Sequence, residues 1–150
     1  MRIDFKDMIY WIEKGKLGGM PSPTRKDLKM LKEMGIKNII NLLETSRGDL
    51  YTDMGFNNIH IPVPDMFAPT MGQALKFIEF INNSNGPTVA HCLAGRGRTG
   101  TMLAIYEIYM GKTSKEAIQS IRKENPYAIE SISQAQFLDQ FEKDGIKNRR

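Results

Sequence analysis

The stretch HCLAGRGRTG, residues 91–100, admits two readings, and the choice between them decides what fold surrounds it. Gly95, Gly97 and Gly100 spell G-x-G-x-x-G, the turn that seats a dinucleotide pyrophosphate at a helix N-terminus. Cys92 and Arg98 spell a cysteine, five residues and an arginine, which puts a nucleophile and a guanidinium at the two ends of one anion-binding turn. Both readings seat a phosphate. One holds it and the other attacks it.

The flanking sequence decides. TVAH before the turn is a short apolar strand, and TMLAIYEIYM after it is apolar on nearly every side, which predicts a central buried helix starting near Thr99. Upstream, YWIE and KLGG read as strands around a Lys14-Gly15 turn, with a helix from Asp4 to Glu13 as the alternative. Ser22-Pro23 reads as an N-cap and first-turn proline for a helix whose stripe is Leu28, Leu31 and Met34, stopped by Gly35. IKNIINLL is a buried strand, TSRGDLYTDMG a polar loop with room for one helical turn, and FNNIHIPV a strand stopped by Pro62 and Pro64. Met71, Ala74, Leu75, Ile78 and Ile81 mark an amphipathic helix over 70–83. Gly111 ends the helix after the turn. Thr113 with Glu116, and Ser131 with Gln134, form capping boxes for two further helices. Strands and helices alternate early and only helices follow. This predicts an α/β fold: a central, mainly parallel sheet of four to five strands flanked by helices.

That order disfavours the dinucleotide turn, which needs a later strand and an acid about 20 residues on. That distance falls near Ser120, inside a helix with no strand behind it. The nucleotide P-loop is excluded as well, because no G-x-x-x-x-G-K-[ST] run is present. The cysteine reading explains more positions. The N–H groups of Leu93, Ala94, Gly95, Arg96, Gly97 and Arg98 can point inward as an anion nest, aided by the positive end of the helix. Arg98 offers a planar fork for two phosphoryl oxygens. The same field favours the thiolate of Cys92, the nucleophilic form. The Thr99 hydroxyl can hydrogen-bond that sulfur, and His91 can brace the loop from behind. A lone cysteine is usually a small buried hydrophobe; joined as His-Cys-x5-Arg-Thr-Gly between strand and helix, it is a specific signal.

HCLAGRGRTG resembles the signature of the cysteine-dependent protein tyrosine and dual-specificity phosphatases. The resemblance runs from about Tyr10 to Phe141. WIEKGKLGGMPSPT followed by DLKMLKEMGIKNIINLLE is similar to the opening of small, single-domain atypical members. It implies the cysteine-phosphatase fold and phosphoenzyme chemistry without a metal or other cofactor. No tyrosine-recognition loop is recognisable, so pocket depth is left open. Asp65, in the PDMFAP loop after a strand, can make a simple turn or donate a proton to the leaving oxygen. The resemblance implies the second role, with Asp49 and Asp53 in reserve. It also implies that Gln134 positions the hydrolytic water, with Gln136 near enough to substitute. NPYAIESISQAQF departs from the family pattern at Asn125, where an arginine usually precedes the proline, and at Tyr127, where a glycine usually follows it.

The bulk properties fit. The chain has 150 residues, 41% hydrophobic and 25% charged, an ordinary composition for a single globular domain over 1–150 with a short basic tail from about 146. Cys92 is the only cysteine, so an intrachain disulfide is excluded. A net charge of +4 favours anionic partners. No membrane span and no signal-peptide pattern is visible, so a cytoplasmic monomer is expected. The expected partners are phosphorylated proteins, with no nucleic acid. Phosphoinositides or another polyanion are the alternative substrates, and a non-catalytic phosphate-binding module is the third reading. Arg96 divides the first two: some lipid-directed relatives carry a lysine there, but they also carry a basic residue where this chain has Leu93.

Overall fold

The computed structural model describes residues 5–148. Asp4, where the helical alternative began, and the last two residues of the expected basic tail lie outside them. Tyr10–Glu13 (β1) and Leu17–Met20 (β2) form the hairpin, following a short 3₁₀ turn at Phe5–Met8. The other strands are Asn38–Asn41 (β3), Asn57–His60 (β4) and Thr88–His91 (β5). The helices are Arg25–Glu33 (α1), Gly48–Asp53 (α2), Met71–Asn83 (α3), Gly97–Tyr109 (α4), Ser114–Glu124 (α5) and Ile132–Lys143 (α6).

The sheet order is β1-β2-β5-β3-β4. The expectation of a mainly parallel sheet holds with one qualification: β1 runs antiparallel to β2, while the other three pairings are parallel, so the sheet is mixed. A two-residue side-chain period feeds both faces. On β3 and β5, Ile40 and Ala90 join the core under α3, α4, α5 and α6. Ile39 and Val89 join the opposite core, with Leu28 and Leu31 of α1 and Tyr51 of α2. β5 lies between β2 and β3, so the C-terminal end of the sheet's middle strand delivers Cys92.

Helix α4 is buried along 11 of its 13 residues, as its unbroken apolar character predicts. It begins at Gly97, two residues earlier than expected. Gly100 N–H reaches the Arg96 carbonyl at 2.9 Å and the Thr101 hydroxyl bonds the Gly97 carbonyl at 2.6 Å, so the first turn closes inside the glycine-rich stretch. Gly100 also admits the Ala128 side chain, which a Cβ there would meet at 2.7 Å. The N-cap of α1 is Thr24, not Ser22. Thr24 and Asp27 bond each other's backbone N–H groups at 2.9 and 3.1 Å, a reciprocal box that Ser22-Pro23 has no partner for. Ser22 is committed elsewhere: its N–H donates to the Leu93 carbonyl at 2.9 Å. Both other capping boxes form as expected, at Thr113 and Ser131.

Candidate active site

The turn after β5 is fixed through its carbonyls. Leu93 O accepts the Ser22 N–H, Gly95 O accepts the Tyr10 hydroxyl at 2.7 Å, and Arg96 O accepts the N–H groups of Gly100 and Ile129. These acceptors are tied to the surrounding scaffold, and of the loop amides the Gly97 N–H donates to Glu130 Oε1 at 2.9 Å. Gly95 has φ +76°, and a Cβ there would lie 2.6 Å from the Met20 backbone. That position requires glycine for both reasons. Tyr10 is half-buried, and desolvation followed by the charge of Cys92 raises its phenol far above the usual range, so it stays a neutral donor to Gly95 O.

Cys92 is 3% exposed at the end of β5. His91 lies behind it, fully buried. Its Nε2 meets the Tyr51 hydroxyl at 2.7 Å and its Nδ1 meets the Cys92 carbonyl at 3.2 Å. Burial, against the opposing effect of that carbonyl, pushes its pKa down to about 4, so the ring is neutral. A neutral ring fits the pair of contacts if Tyr51 O–H donates to Nε2 and Nδ1–H donates to Cys92 O. Arg47 stacks over Tyr51 with its guanidinium carbon 5.2 Å from the ring centroid.

Arg98, 4% exposed, is held along one edge. Its Nη1 donates to Glu44 Oε1 at 2.5 Å and to Val63 O at 3.0 Å. On the other edge Nε is buried with no hydrogen-bond partner among the described residues, and Nη2 forms an ion pair with Asp65 Oδ1 at 3.7 Å. Glu44 is held below the ordinary carboxylate range by its own backbone N–H and then by Arg98. The Thr99 hydroxyl is likewise buried without a partner among the described residues. Buried polar atoms rarely stay unpaired, so a free Nε and a free hydroxyl on one helical turn mark the seat of a polar ligand. The Nε–Nη2 edge, which makes no hydrogen bond among the described residues, is the one that can take two oxygens side by side.

Two carboxylate-bearing segments border this seat. Asp65 sits on a turn closed by Phe67 N–H to Pro64 O at 3.0 Å, and its side chain is 65% exposed. Asp49 and Asp53 lie on α2 and make no ion pair with Arg98; among the described residues Asp65 is the aspartate that does. Gln134 is fully buried at the start of α6. Its Oε1 accepts from the N–H groups of Glu130 and Ser131 at 2.9 and 3.1 Å, and its Nε2 donates to Phe67 O at 3.3 Å. Gln134 therefore ties α6 to the Asp65 loop, and a Cβ at Gly97 would meet its side-chain amide at 3.2 Å. Gln136 is exposed on α6. Met66 (φ 68°) and Ile129 (φ 63°), next to Asp65 and Glu130, are the two non-glycine residues in the left-handed region among the described residues. Such conformations cost about 1–3 kcal/mol each and gather at functional sites.

Sequence reasoning missed Glu44, Tyr10, Tyr51 and Glu130. Glu44 had a signal, since it ends NLLE just past the C-terminal end of β3, the side of the sheet where ligands bind. The others touch the loop from distant segments and leave no local pattern. Arg96 is exposed and places its guanidinium carbon 4.8 Å from the Tyr127 ring centroid. Asn125 bonds the Tyr127 N–H at 3.2 Å, so the two departures from the family pattern shape one rim of the site. No cluster of three or more His, Cys, Asp or Glu placed to hold a metal ion occurs among the described residues.

Residues 15–112 match the family model described as polymorphic toxin system, DSP-PTPase phosphatase. Phosphatidylglycerophosphate phosphatase PTPMT2 of Arabidopsis thaliana is 30% identical over 128 residues, covering 79% of this chain and 56% of that protein. Tyrosine-protein phosphatase CDC14 of Candida albicans is 32% identical over 132 residues, covering 81% of this chain and 24% of the relative. The chain thus spans between about a quarter and just over half the length of these relatives. The solved structure of Tk-PTP in its active form superposes with a TM-score of 0.81 at 25% identity, covering 91% of this chain and 97% of that one.

Proposed function

The chain belongs to the DSP-PTPase phosphatase family, and from that premise we propose that it hydrolyses phosphate monoesters on proteins, phosphotyrosine first, through a phosphocysteine on Cys92. The observation that carries this is the half-open guanidinium of Arg98, pinned by Glu44 and Val63 with its Nε left free beside Cys92's loop. The loop amides and that free edge bind the phosphoryl oxygens. Cys92 Sγ attacks phosphorus, the bond to the leaving oxygen breaks, and Asp65 gives that oxygen its proton. In the second step the Asp65 carboxylate takes a proton from water, the water oxygen attacks phosphorus, and the S–P bond breaks. The Thr99 hydroxyl stabilises the departing thiolate. Gln134 keeps one amide hydrogen free after its bond to Phe67 O, and that hydrogen orients the water.

Phosphoinositides or related lipid phosphates form the second reading, favoured by the Arabidopsis relative's name. Arg96 stacked on Tyr127 makes a lateral cation suited to acidic residues flanking a phosphorylated side chain, which supports protein substrates. The chain acts as a single-domain monomer in the cytoplasm in this reading; among the described residues no helix is long and apolar enough to cross a membrane. The test is Cys92→Ser. Turnover of an aryl phosphate should fall by about 10⁴-fold or more, with inorganic phosphate still bound, and acid quench of the parent should trap phosphate on Cys92. Near-parent turnover in Cys92→Ser would sink the proposal.

A further inference from the structure

The scheme above leaves one carboxylate unused, and it lies on the phosphate loop itself. Glu130 Oε1 accepts the N–H of Gly97 at 2.9 Å. That N–H is one of the amides, residues 93–98, that a bound phosphate would use. A carboxylate and a phosphate dianion cannot share this corner without repulsion between like charges. Glu130 makes no ion pair among the described residues.

The backbone is arranged to hold it there. Ile129, buried and β-branched, takes the left-handed φ of 63° immediately before Glu130, a conformation such residues avoid. The Glu130 N–H is anchored to Gln134 Oε1 at 2.9 Å, and the Ile129 carbonyl to Arg122 Nη2 at 2.8 Å. Meanwhile Arg98 Nε and Thr99 Oγ1, one and two residues after Gly97, are buried and unpaired among the described residues. The seat is prepared for an anion, and an anion of the protein's own rests on its edge. The Glu130 side chain is itself exposed, so it has room to leave.

Resting on the reading of residues 92–98 as a phosphate seat, we infer that Glu130 is a resident anion of that seat, which withdraws when phosphate enters and returns to Gly97 as product phosphate departs. It thereby sets how weakly the product is held. The apparent affinity of any ligand is reduced by the fraction of time its site is open. A carboxylate in place about nine-tenths of the time weakens phosphate binding about tenfold.

Calorimetric titration of the full chain with inorganic phosphate tests this without turnover. Glu130→Gln and Glu130→Ala should both bind phosphate about tenfold more tightly than the parent. The constant for phosphate inhibition of aryl phosphate hydrolysis should fall by the same factor. A role as a simple loop brace predicts the reverse order: Gln, whose amide oxygen still accepts from Gly97, would match the parent, and Ala would bind more weakly. Either of those results overturns the inference while leaving the phosphate seat standing. If neither the parent nor Glu130→Gln binds phosphate, the seat itself is misread and the inference falls with it. Thermal unfolding of Glu130→Gln, expected to match the parent, keeps a folding defect from imitating either result.

Discussion

The two sides of the candidate site are built in opposite ways. The cradle, residues 91–99, is buried apart from Leu93, Ala94 and Arg96, and its carbonyls are tied to four separate segments of the chain. The opposing carboxylates, Asp65 and Glu130, are exposed, each beside a non-glycine residue with positive φ. The contrast matches the roles proposed for them. A dianion must be met by donors already in place, because reorganising them during reaction would raise the barrier. A proton donor or a displaceable anion must approach and retreat, which a buried and fully bonded group cannot do. The cradle is fixed by packing and the carboxylates are poised by strain.

The largest test of this contrast lies on the exposed side. Asp65→Asn should slow hydrolysis of phosphotyrosine by about 10²–10⁴, and hydrolysis of a substrate with a very good leaving group far less. Steady-state kinetics on the pair of substrates reads the difference. Equal slowing of both would mean that Asp65 positions Arg98 and does not donate a proton.

On the buried side the effect should appear in stability. His91 is held neutral by burial, with its pKa lowered from 6.5 to about 4. Between those values the unfolded chain binds a proton that the folded chain refuses, so stability falls as pH drops from about 6.5 toward 4. The loss is on the order of 3 kcal/mol at the acid end. Thermal unfolding at pH 7 and pH 4.5 should show it, and His91→Asn should flatten the pH dependence. An equally steep dependence in that variant would assign the loss to other groups.

Tyr10→Phe removes the donor to Gly95 O and leaves the cradle's chemistry untouched. A lost hydrogen bond of this kind is worth about 1 kcal/mol, so kcat/KM should fall roughly fivefold while the pH profile keeps its shape. A changed profile would implicate Tyr10 in proton transfer. The smallest effect belongs to the rim. Arg96→Leu should leave a small aryl phosphate unaffected and lower kcat/KM for acidic phosphopeptides by about two- to fivefold at physiological salt, where exposed charges are screened beyond roughly 8 Å. Selective loss of activity on phosphoinositides would instead favour lipid substrates.

Much of the molecule follows from local pattern. The strand before Cys92, the apolar helix after Arg98 and the boxes at Thr113 and Ser131 are set by period, capping chemistry and glycine placement, all of which act within a few residues. Cys92, Arg98 and their loop are legible for the same reason, since six contiguous amides, a thiol and a guanidinium make one anion cradle. Where the sequence left a choice, distant contacts made it. The hairpin of β1 and β2 prevails over a helix because β1 pairs with β2, which is itself paired along its whole length with β5. Thr24 prevails over Ser22 as a cap because Thr24 has Asp27 for a reciprocal box, while the Ser22 hydroxyl accepts from Arg47. Only the tertiary structure brings Glu44 to one edge of Arg98, Tyr10 to Gly95, Tyr51 to His91 and Glu130 to Gly97. These partners lie 33 to 85 residues from the groups they serve. A side chain's own sequence neighbourhood carries its conformational preferences, whereas the identity of its distant partner is fixed when the sheet and helices pack.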